Sequence, residues 1–144
     1  MTRDEYRLTH IGSFNTEIVG IQYYKGEVKS GDEVVFERAP YNPYDENAVE
    51  AHNKNDEITG HLPRNIAIFA APLVDEGLIF LKGRITGDGD RWRKPLKLDV
   101  MATVKGSDIF SRKCEPEFAP IVHNHVTAIY EHCKEYSASL IERL

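Results

Sequence analysis

Two prolines three residues apart, Pro40 and Pro43, separate two strand-like runs at 33–38 and 47–52. Each ring fixes φ and biases the residue before it toward extended geometry, so residues 38–49 read as a rigid turn between strands. Tyr41, Asn42, Tyr44 and Asp45 lie within that turn and lose little freedom when something binds them. Asn42 and Asp45 carry side chains that can bond neighbouring backbone and lock the turn. A plain connector would need neither two tyrosines nor a carboxylate beside them, so the segment reads as a recognition surface.

The flanking sequence continues in short strands. Residues 15–24 are rich in β-branched and aromatic side chains and stop at Lys25 and Gly26. Residues 53–57 form a polar hairpin-like turn leading into a fourth strand at 58–62. Pro63 stands at a position suited to a helix start, and the run from Arg64 to Glu76 predicts a helix, interrupted near Pro72 and closed by Gly77. Two more strands follow at 78–86 and 94–104, the second alternating at Leu96, Leu98, Val100 and Ala102. The expected fold is mainly β with helices: a small six-stranded barrel of OB-like or SH3-like type, with a helix inserted after the fourth strand.

The 144 residues suffice for one domain with a real core. The expected division is an N-terminal arm at 1–11, the barrel at 12–108 and an added C-terminal amphipathic helix at 115–144. In that last segment Val122, Val126, Ile129, Cys133, Tyr136 and Leu140 recur in heptad steps. The helix either packs on the barrel or pairs with a second copy to make a homodimer.

No apolar run approaches the roughly 20 residues that span a bilayer, and the first residues lack the apolar core of a secretory signal. With only Cys114 and Cys133 present, the chain is expected to be intracellular, cytoplasmic in a bacterium or nuclear in a eukaryote. A net charge of −5 argues against coating duplex DNA by bulk electrostatics. The balance reverses locally between residues 82 and 105, where seven lysines and arginines face three aspartates. Within that stretch Arg91, Trp92, Arg93 and Lys94 follow a glycine-rich turn, as a nucleic-acid track or as a solvated face.

The proline turn, followed after a hairpin by Gly60, His61 and Leu62, closely resembles the HIRAN domain, and Gly20 to Gly26 fit that pattern as well. This module occurs at the N-terminus of fork-remodelling ATPases and as a free-standing domain in bacteria and phages. The resemblance covers about residues 12–108. It implies a barrel that grips the free 3′-hydroxyl end of single-stranded DNA during DNA repair and replication-fork processing. Tyr23 falls on an aromatic of the DNA pocket, Tyr44 and Asp45 on its Tyr-Asp pair, and His61 on a pocket histidine. Arg64 falls where the family has a phosphate-contacting lysine, and Trp92 where it has an aromatic. Gln22 stands where fork-remodelling relatives have an arginine, which weakens phosphate binding, and residues 115–144 have no part in the shared pattern.

These residues also make chemical sense by themselves. Tyr23, Tyr44 and Trp92 can stack on bases, Asp45 can accept a hydrogen bond from a terminal hydroxyl, and Arg64 at a helix start makes a phosphate site. The carboxylate would repel the phosphodiester of a continuing strand. Arg91, Arg93, Lys94, Asn42 and Gln22 complete the expected DNA-binding set. If residues 15–24 alternate as a strand, one of Tyr23 and Tyr24 faces inward, and only the resemblance selects Tyr23 for the pocket. His61 has a second reading as a cap on a backbone carbonyl.

Catalysis is not expected. His61, Asp45 and Glu46 can be drawn as acid and base, but no nucleophile motif, phosphate loop or set of carboxylate metal ligands accompanies them. Cys114, His123, His125, His132 and Cys133 lack the paired spacing of a metal site, and no cofactor is implied. The runner-up function is a protein-interaction or assembly domain that uses the barrel and a dimerising C-terminal helix.

Overall fold

The computed structural model describes residues 9–103 and 105–106. Six strands alternate with short turns: β1 (Thr9–Val19), β2 (Glu33–Arg38), β3 (Val49–His52), β4 (Ile58–His61), β5 (Ile79–Ile85) and β6 (Arg93–Ala102). One helix, α1 (Arg64–Asp75), follows β4. The strands close into a barrel in the order β1-β4-β3-β2-β5-β6, with every pairing antiparallel. Closure leaves no free sheet edge, and the expected six-stranded barrel with its inserted helix is what forms.

Inward-facing positions build the core. Val34 and Phe36 of β2, Leu81 and Ile85 of β5, and Leu96, Leu98 and Val100 of β6 are buried in alternation with exposed neighbours such as Lys82, Arg84 and Lys97. Phe14 and Ile18 supply the β1 side. Helix α1 contributes Ile66, Ala67, Ala70, Ala71 and Leu73, so its apolar stripe is the lid of this core rather than a separate layer.

Three expectations need correction. The strand expected at 15–24 starts at Thr9 and ends at Val19, so residues 9–11 of the expected arm are already in the sheet. At Gly20 the backbone turns left-handed, with φ 71°, and Ile21–Tyr23 form one turn of 3₁₀ helix. The reversed φ suits glycine and ends the strand whatever the strand propensity of the tyrosines beyond it. The third correction is that α1 runs unbroken through Pro72. Burial of Ala70, Ala71 and Leu73 around it outweighs the one backbone hydrogen bond that proline cannot make. The helix closes at Gly77, φ 71°, where Leu78 N–H reaches back to the carbonyl of Leu73.

The expected C-terminal helix at 115–144, its heptad seam, and the Cys and His residues beyond 113 lie outside the described residues, as does most of the expected arm. Among the described residues no helix is long and apolar enough to cross a membrane.

Candidate nucleic-acid interface

One residue of β1 organises the site. Val19 pairs with His61 of β4 on one side and with Arg93 of β6 on the other. Adjacent strands lie about 4.8 Å apart, which puts His61 and Arg93 about 10 Å apart across the mouth of the barrel. Chain segments near residues 20, 61 and 92 therefore meet at one end.

The 3₁₀ turn after Val19 presents Gln22 and Tyr23 outward, with Tyr23 77% exposed. Tyr24 is half-buried instead, and its hydroxyl lies 3.4 Å from Nδ1 of His61 with the two rings edge to face. The choice between the two tyrosines thus follows from a turn, not from strand alternation. If the hydroxyl donates, Nδ1 is the acceptor and Nε2 of His61 carries the proton. Burial holds the His61 imidazole below its usual pKa range, with Asp45 opposing and Arg64 adding to the shift. Burial, with Glu50 nearby, pushes the Tyr24 phenol up. Sequence reasoning assigned Tyr24 no role, and a Gly-x-x-x-Tyr spacing is too common to mark one.

The proline turn is held from within. Oδ1 of Asn42 accepts hydrogen bonds from the backbone N–H of Tyr44, at 2.8 Å, and of Asp45, at 3.1 Å. Asp45 repeats the device, its Oδ1 accepting from Asn47 N–H at 2.9 Å. Asn42, expected among the DNA-contacting residues, therefore spends its carbonyl oxygen on shaping the turn. These bonds leave Tyr44 83% and Tyr41 93% exposed.

Arg64 begins α1, whose first turn has no side-chain cap and no acidic residue. Its guanidinium donates to the carbonyl of Tyr44, and Nε lies 4.0 Å from Oδ2 of Asp45. The Tyr-Asp pair and the cation are thus one unit, with Oδ2 of Asp45 turned toward Arg64.

On the opposite rim, Asp90 accepts from the N–H groups of Trp92 and Arg93 and closes the turn before β6. Those bonds hold its carboxyl below the usual range. Trp92 is 48% exposed, and the Arg91 guanidinium lies 4.4 Å from its ring centroid. One ring face is therefore already covered by a cation. Arg93 donates to Glu17 at 2.9 Å and Lys94 to the carbonyl of Asp88 at 2.8 Å, so both are tied to the protein more than a solvated track would require.

Among the described residues, Glu37, His52 and Asp56 are the cluster with metal-ligand chemistry. His52 turns Nδ1 to Asp56, at 3.0 Å, and Nε2 to Glu37, at 3.7 Å. Nε2 is buried and makes no hydrogen bond at that distance, so among the described residues Asp56 alone bonds the ring.

The HIRAN domain model matches residues 11–106. The chain belongs to the HIRAN domain family. It is 35% identical over 98 residues to helicase-like transcription factor of Mus musculus, a match covering 67% of this chain and 10% of that protein. The chain thus spans about a tenth of the length of such curated relatives. The HIRAN domain of human HLTF superimposes with a TM-score of 0.64 at 25% identity, covering 92% of this chain and 95% of that domain. The HLTF HIRAN domain in its DNA-bound conformation gives 0.63 at 27% identity, covering 85% and 95%.

Proposed function

We propose that this HIRAN domain is a non-catalytic module that binds single-stranded DNA at its free 3′-hydroxyl end, in repair or replication-fork processing. The observation carrying the reading is the convergence at one barrel mouth of exposed Tyr23, Tyr44 and Trp92 with Asp45, His61 and Arg64. The DNA-bound conformation of the related domain supports it.

A strand end offers a base face, a hydroxyl donor and phosphates. Tyr23 and Tyr44 stack on terminal bases, each worth about 1–3 kcal/mol and indifferent to sequence. Asp45 accepts from the 3′-hydroxyl. A 3′-phosphate, or a continuing strand, would instead bring an anion against that carboxylate. Arg64 sits beside Asp45 and tempers this repulsion until it turns to the phosphate on the 5′ side of the last sugar, where the N-terminal end of α1 adds its positive dipole. Nε2–H of His61 donates to a ligand oxygen. Trp92 takes a further base after Arg91 leaves its ring, and Arg91 then joins the backbone contacts.

The deciding experiment is fluorescence anisotropy with short oligonucleotides bearing either a free or a phosphorylated 3′ end. Tighter binding of the free end is expected. Equal affinity, or none, overturns the proposal. The same titration with RNA ends tests the DNA assignment.

A further inference from the structure

The bonds within the proline turn set its shape but not its placement over the barrel mouth. Two arginines do that, at opposite ends of the 12-residue α1. Arg64 holds the carbonyl of Tyr44 at the N-terminal end. At the other end, about 17 Å along the helix axis, stands Arg38, the last residue of β2.

The Arg38 side chain is only 13% exposed, and its guanidinium spends its donors in three directions. Nη1 donates to the carbonyl of Ala48 at 2.6 Å and Nη2 to the carbonyl of Glu46 at 2.9 Å. Nε and Nη2 together fork onto the carboxylate of Asp75, at 2.8 and 3.3 Å. The returning limb of the turn is thereby tied to the last residue of α1. Contacts run on from there to the tip, because Ala48 N–H donates to the carbonyl of Asp45 and Asn47 N–H to its side chain.

We propose that Arg38 is the positioning residue of the end-reading turn, with Asp75 as its anchor, setting where Tyr44 and Asp45 stand relative to His61. This rests on the end-binding reading above. Arg64 cannot serve alone, since it must leave Tyr44 to meet phosphate. A lysine cannot replace Arg38: its single ammonium cannot span a carboxylate fork and two carbonyls at once.

The test compares the wild-type chain with Arg38→Lys and Asp75→Asn, well below their melting temperatures. Two quantities are read: the affinity ratio for free over phosphorylated 3′ ends, and amide hydrogen exchange at Tyr44 and Asp45. Arg38→Lys should weaken free-end binding about tenfold, the loss of one or two charge-assisted hydrogen bonds. It should also narrow the ratio and speed exchange at both amides, and Asp75→Asn should do the same more weakly. A lower melting temperature with ratio and exchange unchanged would mean Arg38 only stabilises the fold, and overturns the proposal. If Arg38→Lys fails to fold, Asp75→Asn decides, because it leaves the carbonyl bonds in place. A wild type that ignores the 3′ end sinks the end-binding reading, while the exchange data still decide the role of Arg38.

Discussion

His61 lies so close over Gly20 that a Cβ on the glycine would stand 2.3 Å from Cε1 of the ring. The glycine also holds φ 71°, so two independent reasons exclude a side chain there. Gly20→Ala should cost about 1–2 kcal/mol from the left-handed backbone alone. It should also push His61 off Tyr24. Thermal melting reads the first effect, and the His61 ring chemical shifts read the second.

Asp45→Ala removes the proposed sensor and frees Arg64, which now faces it at 4.0 Å. Binding of 3′-phosphorylated strands should tighten while that of free ends weakens. The preference for the free end should fall about tenfold or more, or about 1.4 kcal/mol. Anisotropy with the two oligonucleotides checks this, and an unchanged preference would assign the carboxylate only its turn-closing bond to Asn47.

Arg64→Ala should weaken binding regardless of base sequence. Removing one phosphate contact also lowers the slope of log K against log salt by about 0.7 for a single strand. Trp92→Ala should instead cost about 1–3 kcal/mol in stacking with the salt slope nearly kept. Titrations at several salt concentrations separate the two.

The depressed pKa of His61 carries a sign. Because the folded state holds the ring neutral, the unfolded chain binds more protons below its ordinary value of 6.5. Stability contributed by the neutral ring is complete above that value and is lost as pH falls through the window down to the folded pKa. Acidification should therefore destabilise the free domain, and His61→Phe should flatten that dependence. Bound phosphate favours the imidazolium, so affinity should rise over the same interval. NMR titration of His61, run with melts and with oligonucleotide anisotropy across about pH 5 to 8, checks both directions.

Much of the fold was legible because its signals are local. The β2 strand, the Leu96 to Ala102 alternation, the helix start after Pro63 and the stop at Gly77 are periodic or steric facts about neighbouring residues. Propensity failed at residues 20–24, where one glycine's backbone overrode a β-rich string, and at Pro72, where core packing carried the helix through.

The sequence by itself determined the succession of strands and helix along the chain, the rigid proline turn and the chemical types at the candidate pocket. Only the tertiary structure decided which of them meet. Val19 brings His61 and Arg93 together through strand register. Arg38 finds Asp75 across 37 residues, and Tyr24 becomes a partner of His61 instead of a pocket face. The reason is physical: propensity acts over a few residues, whereas register and ion pairing depend on how the whole barrel closes.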